Sequence, residues 1–193
     1  MASAIPSNAL RRHPERSVPD EIADIVLRGH VAHVGIVDDG MPVVIPMTYG
    51  FDPANPNVVY IHGAPVARIL AGAADGAPAC VTVTELNGLV ASKTALNHSM
   101  VYRSAIGFGR MREVADAVVK AEVLRSMIGR YFPGRAEGRD FSRATDAHLV
   151  ATKLVAIDVE AWSAKARKHG PSGPGDDDPE VPGTCGIVEI SPS

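Results

Sequence analysis

The segment SMVYRSAIGFGRMREV, residues 99–114, alternates with a period of two along its length, the signature of a long extended strand. Met100, Tyr102, Ser104, Ile106 and Phe108 fall on one face, and Val101, Arg103, Ala105, Gly107 and Gly109 on the other. A face packed only on its own core would carry branched or aromatic side chains, whereas the second face is nearly bare and holds a single guanidinium. That bareness predicts the close approach of a planar ligand or a second subunit, with an anion for Arg103 to meet.

The remaining segments supply the rest of a sheet. HVAHVGIV and MPVVIPMTYGF form a hairpin across Asp38-Asp39-Gly40, where the Asp-Gly step supplies positive φ, and VVYIHG is a third strand. APACVTVT and GLVASKTA read as a further hairpin across ELNG, and ATKLVAIDVEAWSAK as the last long strand. Helical spacing is found at residues 17–29, with Ser17 as N-cap and Gly29 closing, and at residues 116–131 and 142–150. A shorter helix opens at Pro65 and ends at Gly76. About seven strands without long parallel βαβ alternation imply a mainly β fold, an antiparallel barrel with peripheral helices. The domain spans residues 18–169, after a polar leader at 1–17. A Pro/Gly/Asp-rich stretch then reads as a mobile linker, and TCGIVEI as a brief terminal strand, within residues 170–193.

Composition narrows the function. A net charge of −3 gives no electrostatic case for nucleic acid, and the one tight basic group is Lys165, Arg167 and Lys168. Two cysteines, Cys80 and Cys185, make neither a disulfide framework nor a paired-cysteine zinc site, a pattern that suits the cytoplasm. No apolar run approaches the roughly 20 residues of a membrane span, and the amino terminus has no signal-peptide core. The histidines stand on separate elements, and His30 and His33 fall on opposite strand faces, so no metal site is expected.

Three places could hold chemistry. A helix opening at Pro65 would present free backbone N–H groups, and Arg68 one turn in could grip a phosphate or simply lie on a solvated face. Arg103, beside Asn97, His98 and Ser99, could meet a ligand anion or form an ion pair at an interface. Thr48 and Tyr49, ending an apolar strand, could read the edge of a heteroaromatic ring or serve as turn and core residues. No Walker loop, nucleophile elbow or dinucleotide fingerprint is present.

In order, VVIPMTYGFD, VVYIHGAPVARIL, GAPACVTVTELNGLVASKTALNHSMVYRSAIGFGRMREV, RYFPGR and WSAKARKHGP resemble the pyridoxamine 5′-phosphate oxidase-like, FMN-binding split-barrel superfamily, most nearly its flavin-nucleotide-binding and nitroimidazole-resistance-like branch. The resemblance implies a split β-barrel that forms a homodimer with FMN at the subunit interface. By block position it places His62, Gly63 and Arg68 on the phosphate side and Met47, Thr48 and Tyr49 along the flavin ring. Thr82 and Thr84 fall on the neighbouring strand, Ser99, Tyr102, Arg103 and Ser104 close the site, and Trp162 and Lys165 lie near the cleft. The bare face of residues 101–109 would then look onto the cleft or the partner subunit. An FMN-dependent oxidoreductase acting on a small molecule is implied, with His62, His98 and Tyr102 as candidate proton donors. A flavin carrier, sensor or resistance protein without turnover is the alternative, and haem or the deazaflavin F420 are alternative cofactors. The chain lacks the arginine-rich end of the true pyridoxamine phosphate oxidases, ending instead in TCGIVEISPS.

Overall fold

The computed structural model describes residues 7–71, 73 and 76–190. β1 (Ala32–Asp38) and β2 (Met41–Met47) pair antiparallel across a two-residue turn. Asp39 and Gly40 both take positive φ there, 49° and 78°, as a tight hairpin of right-handed strands requires. β3 (Gly50–Phe51), β4 (Val58–Gly63), β5 (Pro78–Ala91), β6 (Ser99–Glu113), β7 (Lys153–Arg167) and β8 (Gly186–Glu189) complete one antiparallel sheet. Its order is β2-β1-β5-β6-β7-β4-β3, with β8 pairing β5 beyond the reach of β1.

That order forces the shape. The two ends of the path, β2 and β3, are separated in the chain only by Thr48 and Tyr49. Three Cα steps reach at most about 11 Å, so the sheet must curl until its ends nearly meet. The ends are joined by chain but not by a ladder of hydrogen bonds, which makes the fold a split barrel rather than a closed one. Ile25, Val34, Ile61, Val81 and Ile157 are among the buried side chains that fill it.

The helices lie at the margins. α1 (Ile22–Arg28) buries Ile25 and Val26, but Ser17 does not cap it. A 3-10 turn at Pro19–Glu21 comes first, and Ser17 instead bridges Lys165 on the free edge of β7. The helix read from Pro65 is also shorter than expected. Residues 64–67 form a turn, and α2 (Arg68–Ala71) begins at Arg68 with Ile69 and Leu70 buried. The predicted continuation through residues 72, 74 and 75 lies outside the described residues. α3 (Ala117–Tyr131) begins on Asp116, whose carboxylate accepts from the amides of Val118 and Val119. α4 (Asp146–Ala151) is closed by a capping box between Thr145 and His148.

Two further expectations are corrected. ELNG is not a hairpin turn: β5 runs through it and pairs with β6 along its length, absorbing one residue as a bulge between Leu86 and Gly88. Glu85 stands directly opposite Arg103, and this cross-strand ion pair holds the segment extended. The carboxy-terminal stretch is not a loose linker either. Asp176 accepts from the amides of Lys93 and Gly173 and from the Ser92 hydroxyl, which fastens the segment to the β5–β6 connection and delivers β8 to β5. Among the described residues no helix is long and apolar enough to cross a membrane.

Candidate functional site

The two faces of β6 are the reverse of the expectation. The bare face points into the barrel, where Ala105, Gly107 and Gly109 are buried. A Cβ on Gly107 would lie 2.9 Å from the Trp162 indole and 3.0 Å from Val159, so the flat object over this face is Trp162. The indole N–H donates to the carbonyl of Pro56 at 3.1 Å. Arg103, on the same face, meets three carboxylates of its own chain: Glu85 and Asp24 at 2.7 Å and Glu21 at 3.2 Å. Its guanidinium therefore locks the entry to α1 onto β5 and β6, and the ion-pair reading holds within the chain itself.

This network carries a pH prediction. The Lys168 ammonium and, after it, the Arg103 guanidinium bind Glu21 and hold its carboxyl below the usual glutamate range. A lowered folded-state value means that the stabilisation is fully present above the unfolded value of about 4.3 and is lost as pH falls through the folded value. Wild type is expected to lose more stability than Glu21→Gln on acidification below about pH 4.3, measured by urea denaturation across that range. Parallel losses in the two proteins would contradict it.

The opposite face of β6 is the open one. Tyr102, Ser104, Ile106 and Phe108 are each half-buried, and the pairing register places Thr84 opposite Ser104 and Thr82 opposite Ile106. Lys165 lies across from Ser104 on the other side. Thr82, Thr84, Tyr102 and Ser104 therefore present four hydroxyls on one sheet face, interleaved with Ile106 and Phe108. Ser99 and Arg103 share the other parity of β6 and do not join them. Towards β4 the outer face is covered, because Val123 of α3, together with Val58 and Tyr60, packs on Val114, Leu154 and Ala156.

His62, Gly63 and Arg68 form a second group elsewhere. Leu154, opposite His62, and Lys165, opposite Ser104, stand near opposite ends of β7, so one chain does not bring the two groups together. Burial lowers the pKa of His62 by disfavouring the charged imidazolium, and its buried Nδ1 has no hydrogen-bond partner among the described residues. Gly63 leaves room for Leu70, whose methyl would sit 3.0 Å from an added Cβ. Arg68 is two-thirds exposed and, among the described residues, makes one ion pair, at 3.3 Å to Asp38. It opens a four-residue helix, so the backbone donors expected at Pro65 belong to a turn instead.

Met47 is half-buried against the core and Thr48 is exposed. Tyr49 is fully buried, with its hydroxyl donating at the carbonyl oxygens of Val26 and Gly29. Burial pushes the phenol up to about 12, so it stays protonated. Its ring is closed off from any ligand on the outer face.

Sequence reasoning missed the clamp around that ring. Arg130, in the last turn of α3, stacks 4.1 Å above the Tyr49 ring centroid and 4.7 Å from that of Tyr131. Its Nη groups donate to the carbonyls of Tyr49, Val26, Leu27 and Gly29, and the Tyr131 hydroxyl donates to His30. The available signal was a cation ending an amphipathic helix next to a tyrosine, which does not say which distant carbonyls it reaches.

A flavin needs an apolar surface for its ring, hydroxyl or amide groups at its polar edge and a cation for its phosphate. The open face supplies the first two, and Arg68, with most of its guanidinium exposed, supplies the third. Among the described residues no cluster of three or more His, Cys, Asp or Glu side chains could hold a metal ion.

The comparisons agree with this geometry. Residues 19–166 match the pyridoxamine 5′-phosphate oxidase family. No curated protein matches the chain. The FAD and heme binding protein of Mycobacterium smegmatis is similar at 30% identity and a TM-score of 0.78, over 90% of this chain and 82% of that one. The flavocytochrome Anf3 of Azotobacter vinelandii is similar at 26% identity and a TM-score of 0.83, over 96% and 85% of the two chains. A candidate 5-nitroimidazole antibiotic resistance protein of Bacteroides thetaiotaomicron shares the fold at 22% identity and a TM-score of 0.61, over 77% and 85%. With the open hydroxyl-bearing sheet face and the split between β2 and β3, these likenesses show that the chain belongs to the pyridoxamine 5′-phosphate oxidase-like family of flavin-binding split barrels.

Proposed function

We propose that this protein is an FMN-binding oxidoreductase of the family, acting on a small substrate at a site completed by a second copy of the chain. The observation that carries the reading is the open face of β5 and β6, where the hydroxyls of Thr82, Thr84, Tyr102 and Ser104 surround Ile106 and Phe108. The separation of that face from His62 and Arg68 supports the dimer, since a ligand held by both groups needs one from each copy. Val37 and Val44, about two-thirds exposed on β1 and β2, extend the apolar surface such a partner would cover.

A bound flavin supplies the two-electron chemistry. The chain's own residues do the rest. Ile106 and Phe108 keep water from one side of the ring, the threonine and serine hydroxyls orient its polar edge, and Arg68 exchanges Asp38 for the phosphate. The Tyr102 hydroxyl is placed to deliver a proton on the same face. The test is a titration of flavin-free protein into FMN, followed by quenching of flavin fluorescence. Arg68→Ala is expected to weaken binding about tenfold, the lower range for losing a charge-assisted contact. Unaltered affinity would remove Arg68 from the site, and absence of binding by wild type would overturn the proposal. Reduction of bound FMN by NADH or NADPH separates the enzyme from a flavin carrier or sensor, which would bind without being reduced.

One observation favours a second reading. Burial favours the neutral form of His62 and its buried Nδ1 has no partner among the described residues, as with a nitrogen waiting for an acceptor or a metal, and two of the similar proteins are a FAD and heme binding protein and a flavocytochrome. If haem binds through His62, protein loaded with haem shows a Soret band that His62→Ala abolishes while His98→Ala keeps it. A band that survives His62→Ala contradicts this ligation.

A further inference from the structure

Of the basic group Lys165, Arg167 and Lys168, the last two have no part in the flavin face described above. Arg167, the last residue of β7, is only 5% exposed. Its guanidinium donates to three backbone carbonyls, of His169 at 2.7 Å, Gly170 at 3.0 Å and Met100 at 3.4 Å. Among the described residues no carboxylate lies within 4.0 Å of it. Carbonyls satisfy N–H groups but leave the net charge in place, and a buried charge without its counterion is costly.

A second guanidinium makes the imbalance worse. Burial first, and then repulsion from Arg16, push Arg167 below the usual arginine range. Arg16, Arg167, Lys168 and His169 line a pocket of about 410 Å³ whose one carboxylate is Glu15. Glu15 is taken by His13 at 2.9 Å and reaches Arg16 only at 3.9 Å, while Lys168 is paired with Glu21. Two arginines therefore converge on a small concavity with almost no negative charge of the chain's own, the arrangement of a site that awaits an anion.

Position gives the anion a context. Tyr102 stands directly opposite Arg167, and Ser104 opposite Lys165, so the pocket borders the open hydroxyl-bearing face. We infer that this pocket, between Arg16 and Arg167, binds a phosphoryl group. The group belongs either to a phosphomonoester substrate or to the second phosphate of a dinucleotide flavin. Only the choice between these sources rests on the flavin reading, because the pocket's charge and burial do not depend on it. A phosphate would take donors from both guanidiniums, which also explains why Arg167 is buried where a neutral side chain would be less costly.

The test uses full-length, flavin-free protein titrated calorimetrically with inorganic phosphate at constant ionic strength. In an Arg68→Ala background, which removes the cation assigned to the flavin phosphate, saturable binding is expected to persist, and adding Arg16→Ala is expected to weaken it at least tenfold. Arg167→Met in the same background should lose binding altogether; should it fail to fold, the partly exposed Arg16 carries the test. No saturable binding by wild type, or binding in that background that Arg16→Ala leaves within twofold, overturns the inference. Binding lost in Arg68→Ala instead places the phosphate at the other group and overturns it equally. For the source, the ratio of FAD to FMN affinity is compared in wild type and Arg16→Ala. A preference for FAD that Arg16→Ala removes assigns the dinucleotide, whereas an unchanged ratio, with phosphate still bound by FMN-loaded protein, assigns a separate phosphomonoester. Phosphate binding here by a protein that takes up no flavin would sink the proposed function and leave this pocket standing.

Discussion

Arg130→Met is expected to lower the free energy of unfolding by about 3 kcal/mol, on the scale of losing charged hydrogen bonds whose acceptors stay behind. One guanidinium serves the carbonyls of Val26, Leu27 and Gly29, at and just past the end of α1, and that of Tyr49, in the two-residue link between β2 and β3. The last carbonyls of a helix are the negative end of its dipole and have no partner within the helix, so a cation from another element is doubly favourable there. Stacking between Tyr49 and Tyr131 fixes the plane of the guanidinium and adds a cation–π contribution. Methionine keeps the stem and removes the head, which isolates the charge and its hydrogen bonds. Urea denaturation at neutral pH measures the loss. A change below about 1 kcal/mol would mean that water replaces the clamp without cost.

Gly109→Ala is expected to be worse, by about 3 kcal/mol or more, or to leave no soluble protein. An added Cβ would lie 2.1 Å from the carbonyl oxygen of Asp158 and 2.8 Å from the Cα of Val159. Both are backbone atoms of the neighbouring strand, so no rotamer change relieves the clash. The glycine sits where the β6–β7 register shifts between Phe108 and Gly109, and this irregularity lets two long strands bend around the barrel. The atoms nearest an added Cβ in Gly107→Ala are side-chain atoms of Trp162 and Val159 rather than backbone, so it is expected to cost less. Thermal unfolding of the two variants side by side checks the ranking, and equal losses would contradict it.

The strands were legible where a period of two ran long, as in β6 and β7, and so was the Asp39-Gly40 turn, which has a single geometric solution. Which face of β6 points inward was not. Small residues suit both an open cleft and the space beneath a large ring, and only the register of β7 shows that Trp162 lies over Gly107. ELNG has turn composition, yet Glu85 finds its partner in Arg103, and local preference yields to a ladder extending to both sides of it. The anions of Arg103 come from Glu21, Asp24 and Glu85, three places that no spacing rule connects. The candidate site was legible by residue type, since Thr82, Thr84, Tyr102 and Ser104 do share a face. That His62 and Arg68 lie away from them depends on how the strands pair, which the order of blocks along a chain does not contain.

Binding of a flavin nucleotide is the central claim, and an absorption spectrum tests it most directly. Purified protein is incubated with FMN, desalted and scanned. Bands near about 370 nm and about 450 nm travelling with the protein, and weakened in Arg68→Ala, are the expected result for a bound oxidised flavin. A colourless protein after desalting, with all the flavin in the small-molecule fraction, would leave the split barrel intact and contradict the function proposed for it.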